Sequence, residues 1–142
     1  LAQHFMRATF SSNFVFKDAP YETLKKIGLE IIKNETLKDE ISNLYDLKYE
    51  EIFFENRDLF NYKEHFRIMM SEDRFEFLDK NNLYKGFKPL DALKLKSDKT
   101  YSFKLNLLKG SFYLYNINLK NLKKDINELI TKIDAELKIR NH

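Results

Sequence analysis

Apolar residues recur at helical spacing through most of the chain. Leu37, Ile41, Leu44, Leu47 or Lys48, and then Ile52 fall mostly on one helical face. No breaker follows until past Met70, so the spacing predicts one helix, unbroken or kinked, from Glu35 to about Ser71. Leu59, Tyr62, Phe66, Met69 and Met70 are expected to extend its buried face. The strongest periodic signal comes later, in Leu119, Leu122, Ile126, Leu129, Ile133 and Leu137, at steps of three and four. With Ser97 as a cap, the chain from there on reads as helix to the C-terminus. Gly110 interrupts its first half, either kinking it or letting a neighbour pack close.

Local signals place the remaining elements. Asp18 stands before Ala19-Pro20 as a helix start, because Asp can cap free amides and Pro is tolerated in the first turn. Tyr21, Leu24 and Ile27 form a short apolar stripe, Gly28 is a stop, and Asn34 is a second cap. Residues 1–10 read as the tail of a helix with Leu1, Phe5 and Ala8 on one face, followed by a polar break at Ser11-Ser12-Asn13. Residues 73–96 are the least regular: Phe75-Glu76-Phe77 suggests a short extended piece, and Asn81-Asn82, Gly86 and Pro89 mark loops.

Two long helices with one-sided stripes are unstable alone in water and are expected to pack on each other. Burying roughly twenty large side chains, at about 1.5–3 kcal/mol each, is the scale that offsets chain entropy. The expected fold is therefore all-α: an elongated antiparallel helical bundle of two long helices with a short irregular segment between them. Its 142 residues fit a single domain.

Composition supports this picture. Only 3 Gly and 2 Pro occur, too few to punctuate the turns of a sandwich or barrel. A 15% aromatic share argues against disorder. The absence of Cys excludes disulfides, thiol catalysis and thiolate metal sites. No apolar run approaches the ~20 residues of a membrane helix.

Charge is unevenly distributed. Residues 1–79 carry a net −5 and residues 80–142 a net +8, which together give +3. Between Lys80 and Lys124 there are 11 Lys and only two acids, Asp91 and Asp98. One reading is a basic surface for nucleic acid or anionic lipid, with Tyr84, Phe87, Tyr101 and Tyr113 interleaved. Against it, the region has no Arg and matches no nucleic-acid-binding motif. The other reading is an acidic half packed beside a basic half.

Motifs for chemistry are missing. His4, His65 and His142 are scattered, and adjacent Glu64-His65 point about 100° apart on a helix, so they form no chelate. The pairs Asp39-Glu40, Glu50-Glu51 and Glu72-Asp73 read as solvated helix faces. Ser11, Ser12 and Ser71 lack a nucleophile-elbow setting, and the glycines stand alone, without a phosphate-binding pattern. Met69-Met70 with Phe66 and Phe75 could line a pocket, though core packing is the commoner use of Met. No catalytic, cofactor-binding or metal-ligating residue is assigned, no small-molecule substrate is identified, and the expectation is a non-enzyme.

Tyr21-Glu22-Thr23-Leu24-Lys25 through Gly28, then Leu29 to Ile32, Asn34, Leu37 and Ile41, resembles a segment of a family of uncharacterised bacterial proteins. The match runs from Tyr21 to Tyr45. Members of that domain-of-unknown-function family have a short cytoplasmic tail, one membrane helix and a helical extracytoplasmic domain. The resemblance implies that the chain is the C-terminal part of such a domain, periplasmic and tethered to the inner membrane by a segment absent here. A cytoplasmic location is the alternative. The function then expected is a helical interaction or scaffolding domain with a protein partner or self-association. The alternative is a basic module that binds nucleic acid or anionic lipid through Lys80 to Lys124. In the family segment Tyr21 and Leu24 are expected in the core, with Glu22 and Lys25 facing solvent.

Overall fold

The computed structural model describes residues 14–15, 17–71, 74–82 and 85–140. About 80% of these are helical, so the protein is mainly α, with one small two-stranded sheet. The expected helical turn at Leu1, Phe5 and Ala8 and the break at Ser11-Ser12-Asn13 lie outside the described residues. The chain divides into two compact units. One contains residues 56–114; the other contains residues 14–55 and 115–140.

The second unit begins with α1 (Ala19–Ile27). Pro20 lies in its first turn, where a missing N–H costs nothing. Asp18 makes no side-chain cap, contrary to the sequence expectation. Its own backbone is already helical (φ −97°, ψ −13°), whereas a capping residue needs an extended backbone to swing its side chain under the amides. Gly28 stops the helix at φ 110°, in a region closed to most side chains, and its N–H donates to Leu24 O at 3.0 Å. A 3-10 turn, Leu29–Ile31, leads to Asn34, whose Oδ1 accepts the Leu37 N–H at 3.1 Å and starts α2 (Glu35–Asn43).

α2 passes without a break into a π turn, Leu44–Lys48, and then into α3 (Tyr49–Ser71). The helix predicted from Glu35 to about Ser71 is therefore present, with this turn inside it. The Tyr49 N–H bonds back five residues to Leu44 O. A π turn takes in one residue more than an α turn. That explains why Leu44 and Ile52, eight apart, both remain buried at 5% and 4% exposure. Leu47 falls out of the stripe and is 58% exposed.

Tyr21, Leu37, Ile41, Leu44, Ile52, Leu122 and Leu129 form the core of this unit, with Leu119, Ile126 and Ile133 packed against it. The last five belong to α5 (Lys99–Arg140), the longest helix. Side-chain links run in opposite chain sense along the two helices. Glu55 accepts from Asn118, Lys48 pairs with Asp125, Glu40 with Lys132, and the Asn34 side chain donates to Glu136. Leu137, at the end of the predicted stripe, is 52% exposed, and Ile27 is 67% exposed. Each lies at a helix end, where no facing side chains cover it.

The first unit contains the rest of α3, the strands β1 (Phe75–Phe77) and β2 (Phe87–Pro89), the short helix α4 (Ala92–Ser97) and the start of α5. The strands pair antiparallel, Phe75 opposite Pro89, Glu76 opposite Lys88 and Phe77 opposite Phe87. Pro89, expected in a loop, ends a strand, a position where its missing N–H interrupts no ladder. α4 was not visible as a periodic signal: six residues supply one buried side chain, Leu95. Asp91 caps it by accepting the Lys94 N–H at 2.9 Å.

Leu59, Phe66, Met69 and Met70 are buried as expected, but Tyr62 is 42% exposed. Lys63 takes the inward place, at 6% exposure. From Leu59 the inward positions fall at steps of four and three, which reach residues 63 and 66 and leave residue 62 aside. The Lys63 stem is covered while its ammonium lies 4.5 Å from the Phe112 ring centre, a cation–π arrangement. Burial pushes the Lys63 pKa below its usual 10.5.

Two outcomes follow. Leu129→Ala is expected to lower unfolding stability by about 2–5 kcal/mol in urea titrations, and Leu137→Ala by less than about 0.5 kcal/mol, although both lie on the same sequence stripe. Below its folded pKa, Lys63 carries its buried charge at a cost. Above it, the unfolded chain holds more protons than the native one. Stability should therefore rise with pH between the lowered pKa and 10.5. Lys63→Met should flatten that rise in denaturation measured across alkaline pH.

Candidate functional site

The stretch from Tyr21 to Tyr49 contains a small polar and aromatic cluster. Tyr21 stacks on Tyr45 with ring centres 4.4 Å apart, and Tyr45 meets the Tyr49 ring edge-on at 5.2 Å. The Tyr21 hydroxyl donates to Asp46 Oδ2 at 2.7 Å. Burial, more than the neighbouring carboxylate, raises its pKa. Lys25 lies 3.4 Å from both Asp46 and Glu22. Tyr21 is buried, Leu24 half-buried, and Glu22 and Lys25 exposed, as the helical phase requires. This cluster ties α1 to the π turn and reads as structural.

Beside the π turn a cleft of about 210 Å³ is lined by Lys48, Glu51, Glu55, Asn118, Asn121 and Asp125, among others. Glu55 Oε1 accepts from Asn118 at 2.6 Å, while its buried Oε2 has no hydrogen-bond partner. Lys48 and Asp125 are 2.5 Å apart. Four of these side chains thus pair with one another, and a water molecule is the natural partner for the remaining Glu55 oxygen.

In the first unit, Asp98 fastens the start of α5. It is extended (ψ 104°), and its Oδ1 accepts the Tyr101 N–H at 2.9 Å while Oδ2 receives Arg74 Nε at 2.8 Å. The Tyr101 amide, and then Arg74, hold its carboxyl below the usual range. Asp98, not Ser97, is the cap. Ser97 lies in the last turn of α4, with its hydroxyl turned back to Leu93 O and Lys94 O.

Downstream of this cap, α5 has two faces. Tyr101 and Leu108 are buried at 7% and 4% exposure. Phe103, Leu107 and Leu114 are 69%, 42% and 61% exposed. At 3.6 residues per turn these three lie within roughly 40° of arc, on a line far round from Tyr101 and Leu108. Gly110 falls on the same line, and a Cβ placed there would meet nothing within 4 Å. Its expected role in close packing is thus not seen. The glycine faces open space within an uninterrupted helix.

Lys99 and Lys104 flank that line on α5. The side chains of Lys94, Lys96, Lys99, Lys104 and Lys109 are exposed, and among the described residues they pair with no carboxylate. Every described carboxylate from 74 to 114 is already engaged: Glu76 with Lys88, Asp79 with Lys85, Asp91 as a cap, and Asp98 with Arg74. The aromatics expected beside the lysines do not gather on this surface. Tyr101 is buried, Phe87 packs on Phe77 with ring centres 4.7 Å apart, and Tyr84 lies outside the described residues. Tyr113 is 67% exposed. The outward apolar line at Phe103, Leu107 and Leu114 was legible as a second helical phase, but the stronger stripe after Leu119 masked it.

The other sequence candidates separate. His65 is exposed, Glu64 pairs with Arg67 at 2.5 Å, and Glu40 pairs with Lys132. His4, His142, Ser11, Ser12, Glu72 and Asp73 lie outside the described residues, as does the side chain of Ser71. Phe66, Met69, Met70 and Phe75 are each buried, and the Phe66 and Phe75 rings both lie 5.9 Å from that of Tyr101. Among the described residues no group of three His, Cys, Asp or Glu could hold a metal ion, and no helix is long and apolar enough to cross a membrane. Comparison with family models, with curated proteins and with solved structures finds no match to this chain.

Asp98 provides a check on the anchoring of the two-faced helix. A depressed carboxyl pKa stabilises the fold above the unfolded value of 3.8, and that contribution is lost as pH falls through the folded value. Asp98→Ala should lower the melting temperature at pH 7 and narrow the gap to wild type in strong acid, read by circular dichroism.

Proposed function

We propose that this chain is a non-enzymatic interaction or scaffolding domain, an antiparallel helical bundle that works through its surface. The observation that carries this reading is the outward line of Phe103, Leu107 and Leu114 on α5. Fifteen hydrophobic side chains are buried among the described residues, while twenty-one large ones are exposed, so a sizeable apolar load remains on the surface. Single exposed apolar residues are ordinary; several aligned along one helix face mark a contact surface.

The resemblance carried by Tyr21 to Tyr45 supports placing the domain outside the inner membrane, tethered by a segment not included here. The unpaired lysines between Lys94 and Lys109 favour a second reading, a basic module within Lys80 to Lys124 that takes an anionic partner.

Photo-crosslinking in cells tests the shared premise. A photoreactive residue at position 114 should yield a recurring defined adduct, protein or lipid, and one at position 138, also exposed, should not. Absence of any adduct specific to position 114 overturns the reading.

A further inference from the structure

The charged residues that flank the line of Phe103, Leu107 and Leu114 on α5 are cations, and this limits what can cover it. Lys99 lies close to the line on one side and Lys104 flanks the other, while Lys109 is turned well away from it. α5 carries no carboxylate before Asp125. A symmetric contact between two copies would lay this face on itself, lysines against lysines, with no acid to relieve the repulsion. Charge complementarity therefore selects an anionic partner over a second copy.

The apolar side chains narrow the choice further. A polyphosphate chain would use the lysines but leave Phe103, Leu107 and Leu114 in water. There is no Arg from residue 75 to 139, so the forked donors that read phosphates and bases are missing from this region. Nor is the face a recess. Phe103 and Leu114 are 69% and 61% exposed, and the position between them opens onto empty space. Projecting side chains of this kind need a partner that yields around them. A bilayer interface does so: it takes phenyl and isobutyl groups below the headgroups while lysines reach the lipid phosphates above them.

We propose that the Phe103 to Leu114 face of α5 docks on an anionic lipid surface, the apolar line entering the interface and Lys99 and Lys104 binding lipid phosphates. This rests on the interaction-domain reading above and names its partner.

The test is flotation of the 142-residue chain with vesicles of phosphatidylcholine alone or mixed with phosphatidylglycerol. Binding is expected to the mixed vesicles at low salt, to weaken in high salt, and to be much weaker on the neutral ones. Replacing Lys99 and Lys104 together by Gln should reduce partitioning by roughly fivefold per lysine. The double variant Phe103→Ser/Leu114→Ser should reduce it by at least roughly tenfold. All the altered side chains are exposed, so unchanged helical content and melting temperature should accompany the losses.

No binding to the mixed vesicles, or equal binding to both kinds, overturns the proposal. So does a double variant that binds as well as wild type. If that variant also keeps full affinity for single-stranded DNA, the surface serves a nucleic acid. A concentration-dependent dimer abolished by Phe103→Ser/Leu114→Ser assigns the face to self-association and overturns it as well. A protein adduct at position 114 in cells, without vesicle binding, defeats the lipid assignment and leaves the interaction-domain reading standing. Loss of both defeats both.

Discussion

The fold of the 14–55 and 115–140 unit depends on one hydrophobic seam. Leu37, Ile41, Leu44 and Ile52 on one helix meet Leu122 and Leu129 on another, and Tyr21 joins them beside Tyr45. Neither helix has enough apolar surface on one side to be stable alone, so each supplies the other's solvent shield. The polar links along the seam add little energy at their exposure. They do fix which residue faces which, because sliding the helices by one turn would separate Lys48 from Asp125 and Glu40 from Lys132 together.

The 56–114 unit is stabilised differently. Its interior mixes flexible and aromatic side chains, with Tyr101 near Phe66 and Phe75 and two methionines buried alongside. It tolerates a covered lysine because the Lys63 stem is apolar and its ammonium finds the Phe112 ring. Its loops are secured by short-range devices: a three-residue hairpin ladder, an Asp91 cap and the Arg74–Asp98 pair. The long helix that leaves this unit is thereby held at its first turn while its outer face stays uncovered.

Much of this was legible in the residues. The periods beginning at Leu37 and at Leu119 are long enough for helical spacing to stand out, and Gly28 and Asn34 act through local chemistry that needs no tertiary context. The misses are of other kinds. Ser97 and Asp98 are adjacent and both can cap, and which one does depends on which keeps an extended backbone. Hydrophobicity favours Tyr62 over Lys63 for the inward place, but helical phase gives it to Lys63. α4 is too short to show a period. The two-faced nature of α5 is hidden for a related reason: apolar residues on two sides of a helix blur each other's period, and the stripe after Leu119 dominates.

The π turn at Leu44–Lys48 has a further consequence for how the gene can change length. Elsewhere in a long helix, losing one codon rotates everything downstream by about 100° and carries core positions into water. Inside this turn the spare residue is already accommodated, and its loss would leave an ordinary α-helix with seven residues from Leu44 to the next inward position, close to two full turns. The phase of both flanking stretches would survive. This is the one place along Glu35 to Ser71 where a single-residue deletion is absorbed by the backbone and not by the core.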